Sequence, residues 1–168
     1  MVYKILFFGQ LHGIILIAQC DLFFICILKG AIKMAAIKEL LRTEADNTLS
    51  FGDYTLNAKA KVEDYEFAGN LYKVKTFKEI TKLERDGAFV YESVPGTAVT
   101  GFKASENGVE FKVSGENDAE ITIELSENTE YDVTVNGKAN KMKTGISGKL
   151  SFSVNLEDED EVSVVIKK

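Results

Sequence analysis

From residue 59 onward apolar and polar side chains alternate with period two, the spacing that puts one face of a strand on a core and the other in water. Runs of this kind cover Lys59–Phe67, Leu71–Phe77, Ile80–Glu84, Ala88–Glu92, Ala98–Ala104, Val109–Ser114, Ala119–Leu125, Tyr131–Val135, Lys149–Leu156 and Glu161–Ile166. Between them stand reversal signals: Ala68-Gly69-Asn70, Asp86-Gly87, Pro95-Gly96, Asn107-Gly108, Gly115–Asp118, Asn136-Gly137 and Gly145–Gly148. Dipeptides such as Asp-Gly and Asn-Gly accept the positive φ angles of a tight hairpin. Short strands at this spacing predict a mainly β protein, an antiparallel β-sandwich.

Earlier in the chain the period changes. Ala35–Arg42 places Ile37, Leu40 and Leu41 at i, i+3 and i+4 among good helix formers, which predicts one short N-terminal helix ended by Asp46-Asn47. The expected organisation is therefore a helix with β-hairpins over 34–96 and a β-sandwich over 97–168, packed as one unit. Phe102, Phe111, Ile121, Ile123, Val133, Phe152 and Val164 are expected to fill the inward faces.

Within the second part, Leu125, Thr129 and Tyr131 match the L-x-x-x-T-x-Y spacing that opens a late strand in fibronectin type III-like domains. There the tyrosine hydroxyl bonds back to the backbone at a corner between sheets. The match predicts an immunoglobulin or fibronectin-like arrangement of the C-terminal half.

Residues 1–33 differ from everything after them. Ile5–Leu28 is strongly apolar, and it holds both cysteines, Cys20 and Cys26, and the only histidine, His12. As a membrane span it would carry Asp21 near its middle, at a cost in lipid. As a secretory signal its apolar run is too long, and no small-x-small cleavage site follows. Lys29-Gly30-Ala31-Ile32-Lys33 stands directly before Met34 and can be encoded with a purine-rich AAAGGAG, the kind of run that recruits a bacterial ribosome. Residues 1–33 are thus read as leader sequence ahead of a start at Met34, with a membrane anchor and a secretory signal as alternatives. A start at Met34 implies a cytoplasmic protein without membrane association; translation of residues 1–33 implies a membrane-anchored one.

Charge then narrows the partners. The 168-residue chain has net charge −6. Lys4, Lys29 and Lys33 against Asp21 belong to the first 33 residues, which leaves the remainder with 17 basic and 25 acidic groups, a net of −8. An acidic surface without a basic stripe repels phosphate backbones, so no nucleic-acid partner is expected. From Met34 onward there is no Cys, His or Trp. That removes the imidazole of a Ser-His-Asp or Cys-His site and the ligands of a Cys/His zinc site. No cofactor is expected.

Carboxylates are the remaining chemistry. Glu157-Asp158-Glu159-Asp160-Glu161 reads as a solvated, self-repelling turn, with weak calcium binding by Glu157, Asp158 and Asp160 as its functional alternative. Glu63 and Glu92 are the pair considered for glycoside hydrolysis, which needs two carboxyls flanking one sugar bond. Tyr54, Tyr65, Tyr72 and Tyr91 lie in strand-like surroundings, where aromatic rings could stack on sugars. An exposed edge strand at Glu161–Ile166 could pair with a second copy.

Four segments carry a family resemblance: residues 34–42, Leu71–Phe77, Phe89–Thr97 and Lys143–Val154. Through them, residues 34–168 resemble a small family from Clostridia-type bacteria whose members are named endosialidases. The C-terminal half is also similar to accessory β-domains of carbohydrate-active enzymes. The resemblance implies a β protein that works on or beside glycans. The chemistry in the name departs from this chain: sialidases hold the substrate carboxylate with clustered arginines, and only Arg42 and Arg85 are present. The leading expectation is a non-catalytic sandwich that binds or scaffolds, with carbohydrate or protein as partner. A carboxylate-based glycan-processing enzyme and a self-associating structural protein are the alternatives.

Overall fold

A computed structural model of the chain describes residues 36–168; the leader, anchor and signal readings of residues 1–33 lie outside the described residues. The alternating runs form strands, and the described residues contain no helix. Thirteen strands are present among the described residues. They are β1 (Leu41–Thr43), β2 (Leu49–Phe51), β3 (Ala60–Phe67), β4 (Asn70–Phe77), β5 (Ile80–Arg85), β6 (Ala88–Val94) and β7 (Ala98–Ser105). These are followed by β8 (Gly108–Ser114), β9 (Ala119–Glu124), β10 (Glu130–Val135), β11 (Lys138–Lys143), β12 (Lys149–Val154) and β13 (Val162–Lys167).

The strands pair antiparallel into two sheets. One has seven strands in the order β1-β2-β7-β8-β13-β10-β11; the other has six, β12-β9-β6-β5-β4-β3. Their inward faces meet in a core that includes Phe51, Leu83, Tyr91, Phe102, Phe111, Ile121, Tyr131 and Val164. Phe51, Tyr91, Phe102 and Phe111 pack mostly edge to face, with centroids 5.3–6.5 Å apart, the geometry that aromatic quadrupoles favour.

Three hairpins turn in two residues at predicted reversal sites, with Asn70 of the first already in β4. Ala68-Gly69, Asp86-Gly87 and Asn136-Gly137 all hold both residues at φ between 47° and 79°, as a primed turn requires.

Three expectations are corrected. The described part of the expected Ala35–Arg42 helix, from Ala36 on, forms no helix: Leu40 takes φ 66°, its N–H closes a turn on the Ile37 carbonyl at 2.8 Å, and Leu41–Thr43 pairs with β2. An isolated helix of two turns is unstable in water, and the buried Ile37 and Leu41 gain more from the sheet edge. Strands from both sides of residue 96/97 stand in each sheet, so the two stretches pack together. The expected edge strand near the C-terminus, β13, lies between β8 and β10. This last point also separates the C-terminal half from the immunoglobulin order. In that order the last strand stands beside its predecessor in the second sheet, whereas here β10 with β11, β9 with β12 and β8 with β13 are nested pairs.

At one end of the sandwich buried hydroxyls stitch strands together. Thr76 Oγ1 meets Thr81 Oγ1 at 2.8 Å, and the Thr81 hydroxyl donates to the Thr97 carbonyl at 2.7 Å. Tyr91 and Ser93 hydroxyls both meet Thr97 Oγ1, at 2.9 and 2.8 Å. The Asp53 N–H donates to Thr76 Oγ1 at 2.9 Å, which ties the loop after β2 to the six-stranded sheet. Unpaired, each buried hydroxyl would cost on the order of 1–3 kcal/mol.

Candidate functional site

The opposite end of the sandwich is open. The β5–β6 turn, the β7–β8 hairpin and the corner after β9 surround a cleft of about 560 Å³, within the size range of small-ligand sites. Its floor is Val90, Phe102, Val109, Ile123 and Leu125; its rim carries Arg85, Ser105, Glu106, Glu124 and Ser126, with Phe89 beside them. The rim side chains Arg85, Glu106 and Glu124 are exposed, and among the described residues no ion pair engages Arg85. The Phe89 ring is held by cations: Lys149 Nζ stands 4.4 Å and Lys82 Nζ 5.8 Å from its centroid, within the reach of a cation–π contact.

Tyr131 closes one wall of the cleft, and its corner forms as the spacing of Leu125, Thr129 and Tyr131 predicts. The Ser126 N–H donates to the Tyr131 hydroxyl at 3.0 Å, and the Thr129 hydroxyl donates to the Glu127 carbonyl at 2.9 Å. Asn128 turns the chain with φ 49°. Sequence reasoning missed Thr144. This buried hydroxyl donates to the Ser126 carbonyl at 2.6 Å and accepts the Thr129 N–H at 2.9 Å, bracing the corner from the β11 side.

The other tyrosines do not gather on one exposed face. Tyr91 is fully buried, and burial pushes its phenol up to about 12. Tyr72 shares the inward face of β4 with Val74 and packs edge-on to Phe67 at 5.9 Å. Tyr54 is buried in the loop after β2, where burial first, and then the charges of Glu116 and Asp53, raise its pKa. Tyr65 is half-buried, and its hydroxyl meets Thr43 Oγ1 at 3.0 Å. Period-two placement explains the outcome: Lys73 and Lys75 take the solvent face of β4 and turn Tyr72 inward.

The carboxylates of the acidic turn do not gather around one point. Among the described residues no three carboxylates, cysteines or histidines converge to hold a metal. Glu157, Asp158 and Asp160 are exposed, and their neighbours turn to separate partners: Glu159 accepts from Asn136 Nδ2 at 3.3 Å, and Glu161 pairs with Lys112 at 2.8 Å.

Nor do Glu63 and Glu92 face one another. They stand on β3 and β6, with β4 and β5 between them. Three strand spacings make roughly 14 Å, more than the roughly 9.5 Å that an inverting pair spans. Glu63 is also held by Lys73 at 2.9 Å and Lys61 at 3.2 Å. The Lys73 hydrogen bond, then that of Lys61, lowers its pKa, away from the protonated form a general acid needs.

Among the described residues no helix is long and apolar enough to cross a membrane. Compared with known proteins, the chain matches no family model, no curated protein and no solved structure.

Proposed function

We propose that the protein is a non-catalytic binding module and that the open end of its sandwich is where a carbohydrate docks. One observation carries the reading: the end cleft combines an apolar floor with a rim of guanidinium, carboxylate and hydroxyl groups around about 560 Å³. A sugar ring has the matching anatomy, C–H faces for Val90, Phe102 and the Phe89 ring and hydroxyls for Arg85, Glu106 and Glu124. The glycan role expected from residues 34–42, Leu71–Phe77, Phe89–Thr97 and Lys143–Val154 agrees with a module that holds glycans. The separation of Glu63 from Glu92 argues for holding over cleavage.

A glycan array followed by calorimetry on the best binder tests the reading. Arg85→Ala and Phe89→Ala are expected to weaken binding about tenfold each, the scale of a lost charged or stacked contact. A glycan that binds equally well to both variants, or an array without binders, would reject the end cleft as the site.

A further inference from the structure

Four strand edges border the two long sides of the sandwich, and three carry devices that discourage pairing with another chain. β1 is three residues long. β3 is broken by a register shift between Val62 and Tyr65, with Asp64 at φ 56°. β11 carries Lys138, Lys141 and Lys143. Short length, bulges and lysines are the usual protections of an edge.

β12 has none of them at its centre. It pairs with β9 over six consecutive residues without a bulge, and no described strand lies on its other edge. The Leu125 N–H bonds the Gly148 carbonyl at 2.8 Å, which sets the phase of this ladder. Alternation then turns the N–H and C=O groups of Ser151 and Ser153 away from β9, toward open space.

Beside this edge runs a groove of about 490 Å³ floored by Val133, Val135, Met142 and Phe152. Met142 lies opposite Tyr131, Asn140 opposite Val133 and Lys138 opposite Val135, so all three β11 residues share the face that turns toward the second sheet. Asn140 and Lys138 are nevertheless exposed and Met142 half-buried. The seven-stranded sheet extends past its six-stranded partner here, by about one strand.

We propose that this side is a strand-addition site for an extended segment of another polypeptide. The segment lies antiparallel to β12, bonds the free groups of Ser151 and Ser153, and completes the shorter sheet with a seventh strand. Its alternate side chains rest apolar on Met142 and Phe152, with an acidic one at Lys138. Main-chain bonds supply affinity in this mode, and alternate side chains supply selectivity. A second copy offering its own β12 does not fit. The two-fold that laid its β12 over the first β11 would bring its β11 beneath the first β12, where β10 already stands.

The test titrates the full chain with labelled peptides of about ten residues that alternate apolar and polar positions, with and without a terminal acid. The expected result is saturable binding by the acid-bearing peptides and amide exchange at Ser151 and Ser153 slowed about tenfold or more. Ser151→Pro, which removes an outward N–H, should weaken binding about tenfold. The same loss should follow N-methylation of the peptide at the residues facing β12, a control that leaves the protein's folding untouched. Absence of binding by every peptide, or binding indifferent to N-methylation, would overturn the proposal. So would concentration-dependent protection of Ser151 and Ser153 without peptide, which would assign the edge to a second copy. Peptide and glycan binding are read on different variants, so either proposal can fail alone.

Discussion

The two long sides of the sandwich are finished in different ways. On one, the edge strands β1 and β3 approach each other, and the Tyr65 and Thr43 hydroxyls meet across the gap at 3.0 Å. On the other, β11 and β12 border a groove of about 490 Å³ with an apolar floor. The tied side is made of short or bulged strands, the open side of a regular strand beside a lysine-bearing one. A sandwich can thus seal one flank with a single polar contact when the edges there are already poor templates. A regular edge beside an uncovered face invites a partner instead.

The largest expected contrast is between glycines of the two regions. Gly52, after β2, has φ 96°, and a Cβ on it would lie 2.3 Å from the Thr97 carbonyl oxygen. Gly137, in the β10–β11 hairpin, has φ 79° and nothing within 4 Å of such a Cβ. Gly52→Ala should cost roughly 3–5 kcal/mol, the sum of left-handed strain and a backbone clash. Gly137→Ala should cost about 1 kcal/mol, the strain alone. Denaturant midpoints measure both, and equal losses would mean that the tied region is no more tightly built.

Next in size is Tyr91→Phe, which takes a hydroxyl from the buried network and should cost about 1–2 kcal/mol. Its pH dependence has a definite sign. Folding raises the phenol from an ordinary value of 10.0 to about 12. The neutral phenol's contribution is complete below the unfolded value and is lost as pH rises through the folded one. Stability of the wild type should therefore fall across that alkaline window, and Tyr91→Phe should fall less steeply there in base-denaturation curves.

A double-mutant cycle on Tyr65→Phe and Thr43→Ala isolates the tie itself. A coupling of about 0.5–1 kcal/mol is expected for one exposed hydroxyl pair. Amide exchange should quicken in β1 and stay unchanged in β11. Zero coupling would make the closed flank a matter of shape alone.

The smallest effect lies on the outer face of the six-stranded sheet, where Lys75 is a direct cross-strand neighbour of both Lys61 and Lys82. Like charges placed opposite one another repel. Lys75→Thr should stabilise by a few tenths of a kcal/mol, and the gain should shrink as salt screens the lysines. Thermal melts at two salt concentrations decide it.

Much of this was legible in the sequence, because period-two alternation and Asn-Gly or Asp-Gly reversals are local properties. The Tyr131 corner was legible too, since it depends on spacing within one loop. What stayed hidden depends on neighbours distant in sequence. β11 has no alternating apolar face; it forms because Asn136-Gly137 folds it onto β10, where Lys141 reaches Glu130 at 3.2 Å. The Leu40-Leu41 pair reads as helical until β2 offers it a partner. Alternation gives each tyrosine a face but does not say which face meets the other sheet. Tyr72 could have been placed from Lys73 and Lys75, and Tyr65 from the acids on either side of it. The end cleft collects residues from three separate turns, so no single stretch announced it.

The central place of β13 has a consequence for how the chain acquires its shape during synthesis. Until residues 162–167 are available, β8 and β10 each lack a neighbour, and the seven-stranded sheet is split into two ribbons. Both ribbons then expose apolar edges of the kind that lead to clumping of nascent or truncated chains. Shortened forms ending before Val162 should accumulate as insoluble material, whereas adding the missing segment as a separate peptide should rescue them.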